Sequence, residues 1–216
     1  MNLLISLRRR LLAVVALATL GLGTVHAAHA ADAGTPDQLI RQLSLETIEA
    51  VKADKDIQAG NVGKIIALVD TKVMPHVNFQ RMTASAVGRF WRQATPDQQG
   101  KLQAEFKTLL VRTYAGALTQ VKDQTIGLKP LRAQPTDTEV VVRTEIRGKG
   151  DPIQLDYRLE KVGDAWRIYD VNVLGIWLAD QYRNSFAQEI GANGIDGLIK
   201  SLADKNAKAA APAAKG

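Results

Sequence analysis

The chain contains no cysteine, which excludes disulfide stapling, thiolate metal sites and thiol nucleophiles. Histidine is nearly as scarce: of His26, His29 and His76, only His76 lies beyond the first thirty residues. One imidazole without a thiolate cannot build a histidine-based metal site, and any Ser-His-Asp set would have to use His76. There is no G-x-S-x-G elbow and no glycine-rich phosphate cradle, which argues against the common hydrolase and nucleotide-hydrolysing classes. Aromatic residues make up only 5% of the chain, so aliphatic side chains must supply most of any core. The one continuous apolar run, Leu11 to about Gly23, falls short of the ~20 residues a membrane span requires.

That run follows Arg8, Arg9 and Arg10 and precedes Ala28-His29-Ala30. Charged, apolar and small-residue regions in this order predict a secretory signal peptide over residues 1–30, cut after Ala30, and therefore an exported soluble protein. Removing it lowers the basic count from 28 to 25 against 22 acids, so the formal charge falls from +6 to +3. A balance this mild argues against nucleic acid as the main partner. It suits an anionic small molecule or a headgroup.

Thr35-Pro36-Asp37-Gln38 combines a capping residue, a proline at the first helical position and a glutamine at the third, predicting a helix start. Leu39, Leu43, Ile48 and Val51 supply its apolar side. A second helix is expected from about Asn61 to just before Pro75, and a third from near Asn78. The letters TPDQ recur at Thr95–Gln98, opening a longer helix whose Leu102, Phe106, Leu109, Leu110, Ala117, Leu118 and Val121 return at three- and four-residue steps. From about Gln124 the period becomes two. Val140, Val142, Thr144 and Ile146 share one strand face, and Ile153, Leu155, Tyr157 and Leu159 share one face of the next. Three long antiparallel strands and a weaker one at Gln124–Leu131 are expected, then helices near Leu178–Ile190 and Ile195–Asp204. This is an α+β layout with helices gathered on one face of a twisted sheet. The Ala/Lys/Pro-rich residues 206–216 read as a disordered tail.

Few residues invite a chemical reading. Asp54-x-Asp56-x-Gln58 resembles a calcium loop but has Ala59 where the turn needs glycine, so a solvated loop is expected. Gly88-Arg89-Phe90-Trp91-Arg92 reads either as packing with snorkelling arginines or as a pocket rim. Asp170 reads as a raised-pKa base if it faces an apolar interior, or as an arginine-paired carboxylate if it does not. Which applies depends on register. A tight Gly163-Asp164 turn sets Tyr157 opposite Asp170, whereas one bulged residue puts Tyr169, Val171 and Val173 on the apolar face and turns Asp170 away. Three apolar side chains favour the bulge, with Asp170 a paired surface carboxylate.

Taken together, Val73–Met82, Gly88–Gln98, Thr113-Tyr114, Asp170-Val171, Gly175, Arg183 with Phe186, and Gly194–Ile199 resemble the MlaC family, the periplasmic phospholipid-binding components of the Mla lipid-transport system, over nearly the whole chain. The resemblance implies an NTF2-like α+β fold and a single lipid-binding domain over residues 31–205. Acyl chains would lie between sheet and helices with the headgroup toward solvent. On that reading Trp91, Leu109 and Tyr114 line the cavity from the helices. Val142, Leu155, Tyr157, Val171 and Val173 line it from the strands, and Ile176 and Trp177 close the strand end. Arg89 and Arg92 form a headgroup or partner rim. The implied partners are phospholipid, an inner-membrane ABC transporter with a periplasmic lipid-binding ring, and an outer-membrane lipoprotein–porin complex. No cofactor, metal or catalytic residue is implied. An isomerase or hydrolase using Asp170 on the same scaffold, and an adaptor that binds only proteins, are the competing readings.

Overall fold

The computed structural model describes residues 34–210, and the expected signal peptide and residues 211–216 lie outside that range. Helix α1 runs Pro36–Ala53 and α5 runs Pro96–Thr119, each started by a TPDQ segment. At the second start the Thr95 amide donates to Gln98 Oε1 (3.0 Å) and the Gln98 amide donates to Thr95 Oγ1 (3.2 Å), so two amides left over at the helix end are satisfied reciprocally. Between these helices lie α2 (Lys55–Gln58), α3 (Val62–Leu68) and α4 (Phe79–Val87). The expected solvated loop at residues 54–58 is instead the single turn α2. Asp54 caps it, accepting the amides of Asp56 (2.9 Å) and Ile57 (3.2 Å), and Ile57 is buried. After α3 a wide turn over Val69–Val73 and a tight one over Met74–His76 lead to Asn78, whose Oδ1 caps α4 through the Arg81 amide at 3.0 Å.

Among the described residues five strands form one antiparallel meander in the order β1 to β5: Thr125–Leu128, Glu139–Arg147, Ile153–Val162, Ala165–Val173 and Ile176–Trp177. The fifth, pairing with β4, was not expected from the sequence. It returns through Leu174 (φ 52°) and Gly175 (φ 91°), both left-handed, as a two-residue hairpin turn matching strand twist requires. Helix α6, Leu178–Ala210, follows and kinks at Gly194 (φ 73°), the break expected between two C-terminal helices. It continues to Ala210, so residues 206–210, expected in the tail, are helical.

Apolar side chains collect in three clusters. Phe106 centres the first, edge-on to Tyr182 (5.0 Å) and Phe186 (5.2 Å), and joins α4, α5 and α6. The second lays Ile40 and Leu43 of α1 on Val140, Val142, Leu159 and Ile168 of the sheet. The third packs α1, α2, α3 and α5 through Val51, Ile57, Ile65, Leu68 and Ala115. The fold is therefore α+β, with the helices on one face of an open sheet. No helix among the described residues is long and apolar enough to cross a membrane.

Candidate functional site

Strand pairing sets which side chains meet beneath the helices. Val142 lies opposite Tyr157 and Thr144 opposite Leu155, while Val171 pairs with Tyr157 and Val173 with Leu155. Because strand neighbours in register share a face, these form one patch on the helix side. Val142 is buried against α1, whereas Leu155, Tyr157, Val171 and Val173 are only half-buried. Burial pushes the Tyr157 phenol above its ordinary pKa, opposed by hydrogen bonds to Ser44 and Thr144. From the helix layer Leu109, Tyr114 and Trp91 are half-buried and pack on the first cluster, where Val171 and Val173 also pack. Burial raises the Tyr114 phenol likewise. Val171 touches both the first and second clusters, so it joins the helix-borne and strand-borne groups.

The register contains a bulge, since Leu159 pairs with Ile168 but Arg158 pairs with Asp170, leaving Tyr169 as the extra residue. Val171 and Val173 thereby reach the helix side as expected. Tyr169 does not: it turns to the outer face, where its hydroxyl donates to Glu139 Oε2 at 2.9 Å. Asp170 is turned away from Tyr157 and paired with an arginine, also as expected, but it is not a surface group. It is 1% exposed. Its Oδ2 accepts from Arg158 Nη1 (3.0 Å), and its Oδ1 accepts the amides of Val171 (2.9 Å) and Ala179 (3.1 Å). The β4–β5 turn folds the start of α6 back onto it, and desolvation raises its pKa despite those bonds. The same turn corrects the placement of Trp177, which pairs with Asn172 on the outer face rather than joining Tyr157. There its ring stacks under the Arg158 guanidinium at 3.8 Å. Ile176, opposite Val173, is 55% exposed at the end of the sheet.

The profile of the family described as MlaC protein matches residues 41–204. The chain belongs to the MlaC family. It is 29% identical over 180 residues to the toluene tolerance protein ttg2D of Pseudomonas putida, covering 82% of this chain and 84% of that one. To the intermembrane phospholipid transport system binding protein MlaC of Haemophilus influenzae it is 21% identical over 172 residues, covering 78% and 80%. Among solved structures, a phospholipid-binding protein from Ralstonia solanacearum, determined in complex with a phospholipid, superposes with a TM-score of 0.79 at 44% identity. That match covers 84% of this chain and 100% of the Ralstonia chain.

Within this MlaC chain, Arg89 and Arg92 lie exposed on a tight helical turn, Gly88–Gln93, that turns Trp91 inward. The Arg89 guanidinium sits 4.9 Å from the Phe90 ring centroid. Sequence reasoning missed a network on the outer face. Arg81 pairs with both Glu139 (2.7 Å) and Glu160, stacks 3.6 Å over the Tyr169 ring, and so ties the start of α4 to three strands. Its hydrogen bond holds the Glu139 carboxyl below the usual range, although burial opposes this. The available signal was that Glu139 and Glu160 fall on the polar side of both alternations. Their direct pairing, two like charges in register, calls for a cation.

Proposed function

We propose that this protein is a periplasmic phospholipid carrier, holding acyl chains between the helix-facing side of the sheet and helix α5. The observation that carries the reading is the likeness to the Ralstonia protein solved with phospholipid, extending over nearly all of the described fold. The half-buried patch of Leu155, Tyr157, Val171 and Val173, whose two valines pack on the same cluster as Leu109 and Tyr114, supplies apolar surface of the right kind. Exposing two acyl chains of roughly thirty methylenes to water costs on the order of 24 kcal/mol at about 0.8 kcal/mol per methylene. Moving them from a bilayer to an equally apolar cleft nearly cancels that cost, so a carrier needs neither nucleotide nor nucleophile. Arg89 and Arg92 serve as a cationic rim for headgroup or partner. The signal-peptide pattern at residues 1–30 supports export, and the family supports service between an outer-membrane lipoprotein–porin complex and an inner-membrane ABC transporter with a lipid-binding ring.

The enzyme reading of Asp170 is opposed by its bonding. Asp170 is closed off from a substrate, with one oxygen accepting two amides, the other accepting Arg158, and the residue buried. Mass spectrometry of lipid extracted from purified protein tests the carrier directly. Stoichiometric phospholipid is expected, and its absence from folded protein would overturn the proposal.

A further inference from the structure

On the outer face of the sheet, away from the apolar patch, lies an open groove of about 720 Å³. Its charged walls are Lys129, Arg132, Arg143 and Arg158, against a single carboxylate, Glu139, with Tyr169 beside it. That carboxylate is already taken by Arg81 and by the Tyr169 hydroxyl, and its lowered pKa keeps it ionised in that role. Arg158 is held at one end between Asp170 and the Trp177 ring. Arg132 and Arg143 make no ion pair and no side-chain hydrogen bond among the described residues. Lys129 reaches a carboxylate only at 4.0 Å, on Glu145. The Lys129 amide donates to the Arg143 carbonyl (2.9 Å), extending the β1–β2 ladder and setting two cationic residues side by side. On its other side Arg143 is in register with Asp156 of β3, but no ion pair joins the two, so Lys129 and Arg143 remain adjacent like charges, a destabilising arrangement on a sheet. A concave site with cations on both walls focuses positive potential, and planar guanidinium forks match phosphate oxygens two at a time. Its size falls in the range of small-ligand sites.

We propose that this groove binds a phosphate group, with Arg132 and Arg143 as its forks and Lys129 and Arg158 as flanking charges. The phosphate belongs either to a soluble phosphate ester or to a lipid headgroup presented by a bilayer. The groove lies on the opposite side of the sheet from Tyr157, Val171 and Val173, so it is separate from the proposed acyl site.

The test is calorimetric titration with pyrophosphate at low ionic strength, alongside cosedimentation with phosphatidylglycerol vesicles against phosphatidylcholine vesicles. It compares the parent with the Arg132→Ala/Arg143→Ala double variant. The parent is expected to bind pyrophosphate saturably and the double variant at least about tenfold more weakly, the loss of two charge-assisted contacts. Pyrophosphate binding without vesicle binding assigns a soluble phosphate ester, and variant-sensitive binding to phosphatidylglycerol vesicles assigns a headgroup. Equal behaviour of parent and double variant toward both probes would overturn the proposal. So would hexaglutamate binding as tightly as pyrophosphate, which would make the groove a dock for an acidic protein segment. Both substituted side chains line a surface groove, so a folded variant is expected. Its co-purified phospholipid should match the parent, and a fall in that lipid would count against the separation of the two sites.

Discussion

The two faces of the sheet are built from the same strands by strict alternation, yet they solve opposite problems. On the helix side Leu155, Tyr157, Val171 and Val173 are apolar side chains left half-buried, an arrangement that leaves surface for a hydrophobic occupant. On the outer side the charged residues include the most deeply buried carboxylate among the described residues, Asp170, enclosed by Arg158, Trp177 and the first turn of α6. Apolar surface can stay open at a moderate cost because water is displaced when a ligand arrives. A carboxylate can be buried only where donors have been supplied beforehand. The comparison assigns binding to the less finished face and structural closure to the more finished part of the other.

The strongest way to break that comparison is Asp170→Ala. It strands the Ala179 amide and leaves Arg158 without its closest carboxylate, so a loss of about 3 kcal/mol is expected in urea unfolding. A loss below about 1 kcal/mol would show that the corner does not hold the β4–β5 turn to α6. Next comes Val171→Asp, which puts a charge where the two apolar clusters meet. A cost of about 2 kcal/mol and a severalfold drop in co-purified phospholipid are expected, read by mass spectrometry of the folded fraction. Trp177→Ala sharpens the contrast, since it removes a cation–π contact on the outer face. It should cost about 1 kcal/mol while lipid content stays at the parent level.

The pH dependence separates the two carboxylates by sign. Asp170 has a raised folded pKa, so the protonation-linked part of its contribution to stability is present below the ordinary aspartate value and lost as pH rises through the raised one, while its bonds to Arg158 and the Ala179 amide persist. Glu139 has a lowered folded pKa, so its contribution is present above the ordinary glutamate value and lost as pH falls through the lowered one. Thermal unfolding across this range should lose its alkaline-side slope in Asp170→Asn and its acid-side slope in Glu139→Gln. The second change is smaller because the Glu139 side chain is 52% exposed and solvent-screened. The smallest stability effect belongs to Arg89→Ala/Arg92→Ala, which should leave the melting temperature nearly unchanged. Lipid transfer to a partner complex should slow, and the parent rate should fall with added salt.

Much of this architecture was legible from the sequence because it rests on local rules. The two TPDQ starts fold as capped helices, the period-two runs fold as β2 and β3, and Gly194 breaks the last helix, because each depends on a few adjacent residues. The bulge in β4 could also be argued, since Val171 and Val173 needed the apolar side. What local rules could not supply was the destination of Tyr169, Asp170 and Trp177. Tyr169 was counted with the apolar side chains, but as the extra residue of the bulge it leaves that face and finds Arg81 and Glu139, which are distant in sequence. Trp177 was counted with Tyr157 as cavity lining because one stands at a strand end and the other on the apolar strand face. A two-residue turn at Leu174-Gly175 instead reverses the chain and pairs Trp177 with Asn172 on the opposite face.

The sequence by itself determined the helix starts, the alternation of the strands and the α+β class, because capping, periodicity and turn chemistry act over a few residues. It also carried the family resemblance, through several motifs in order. Only the tertiary structure decided that Asp170 is buried and that the cations of the outer face converge on one groove. Burial and electrostatic convergence depend on which distant segments are folded over a residue, and a turn of two residues was enough to move both Asp170 and Trp177 out of the places their neighbours in the chain suggested.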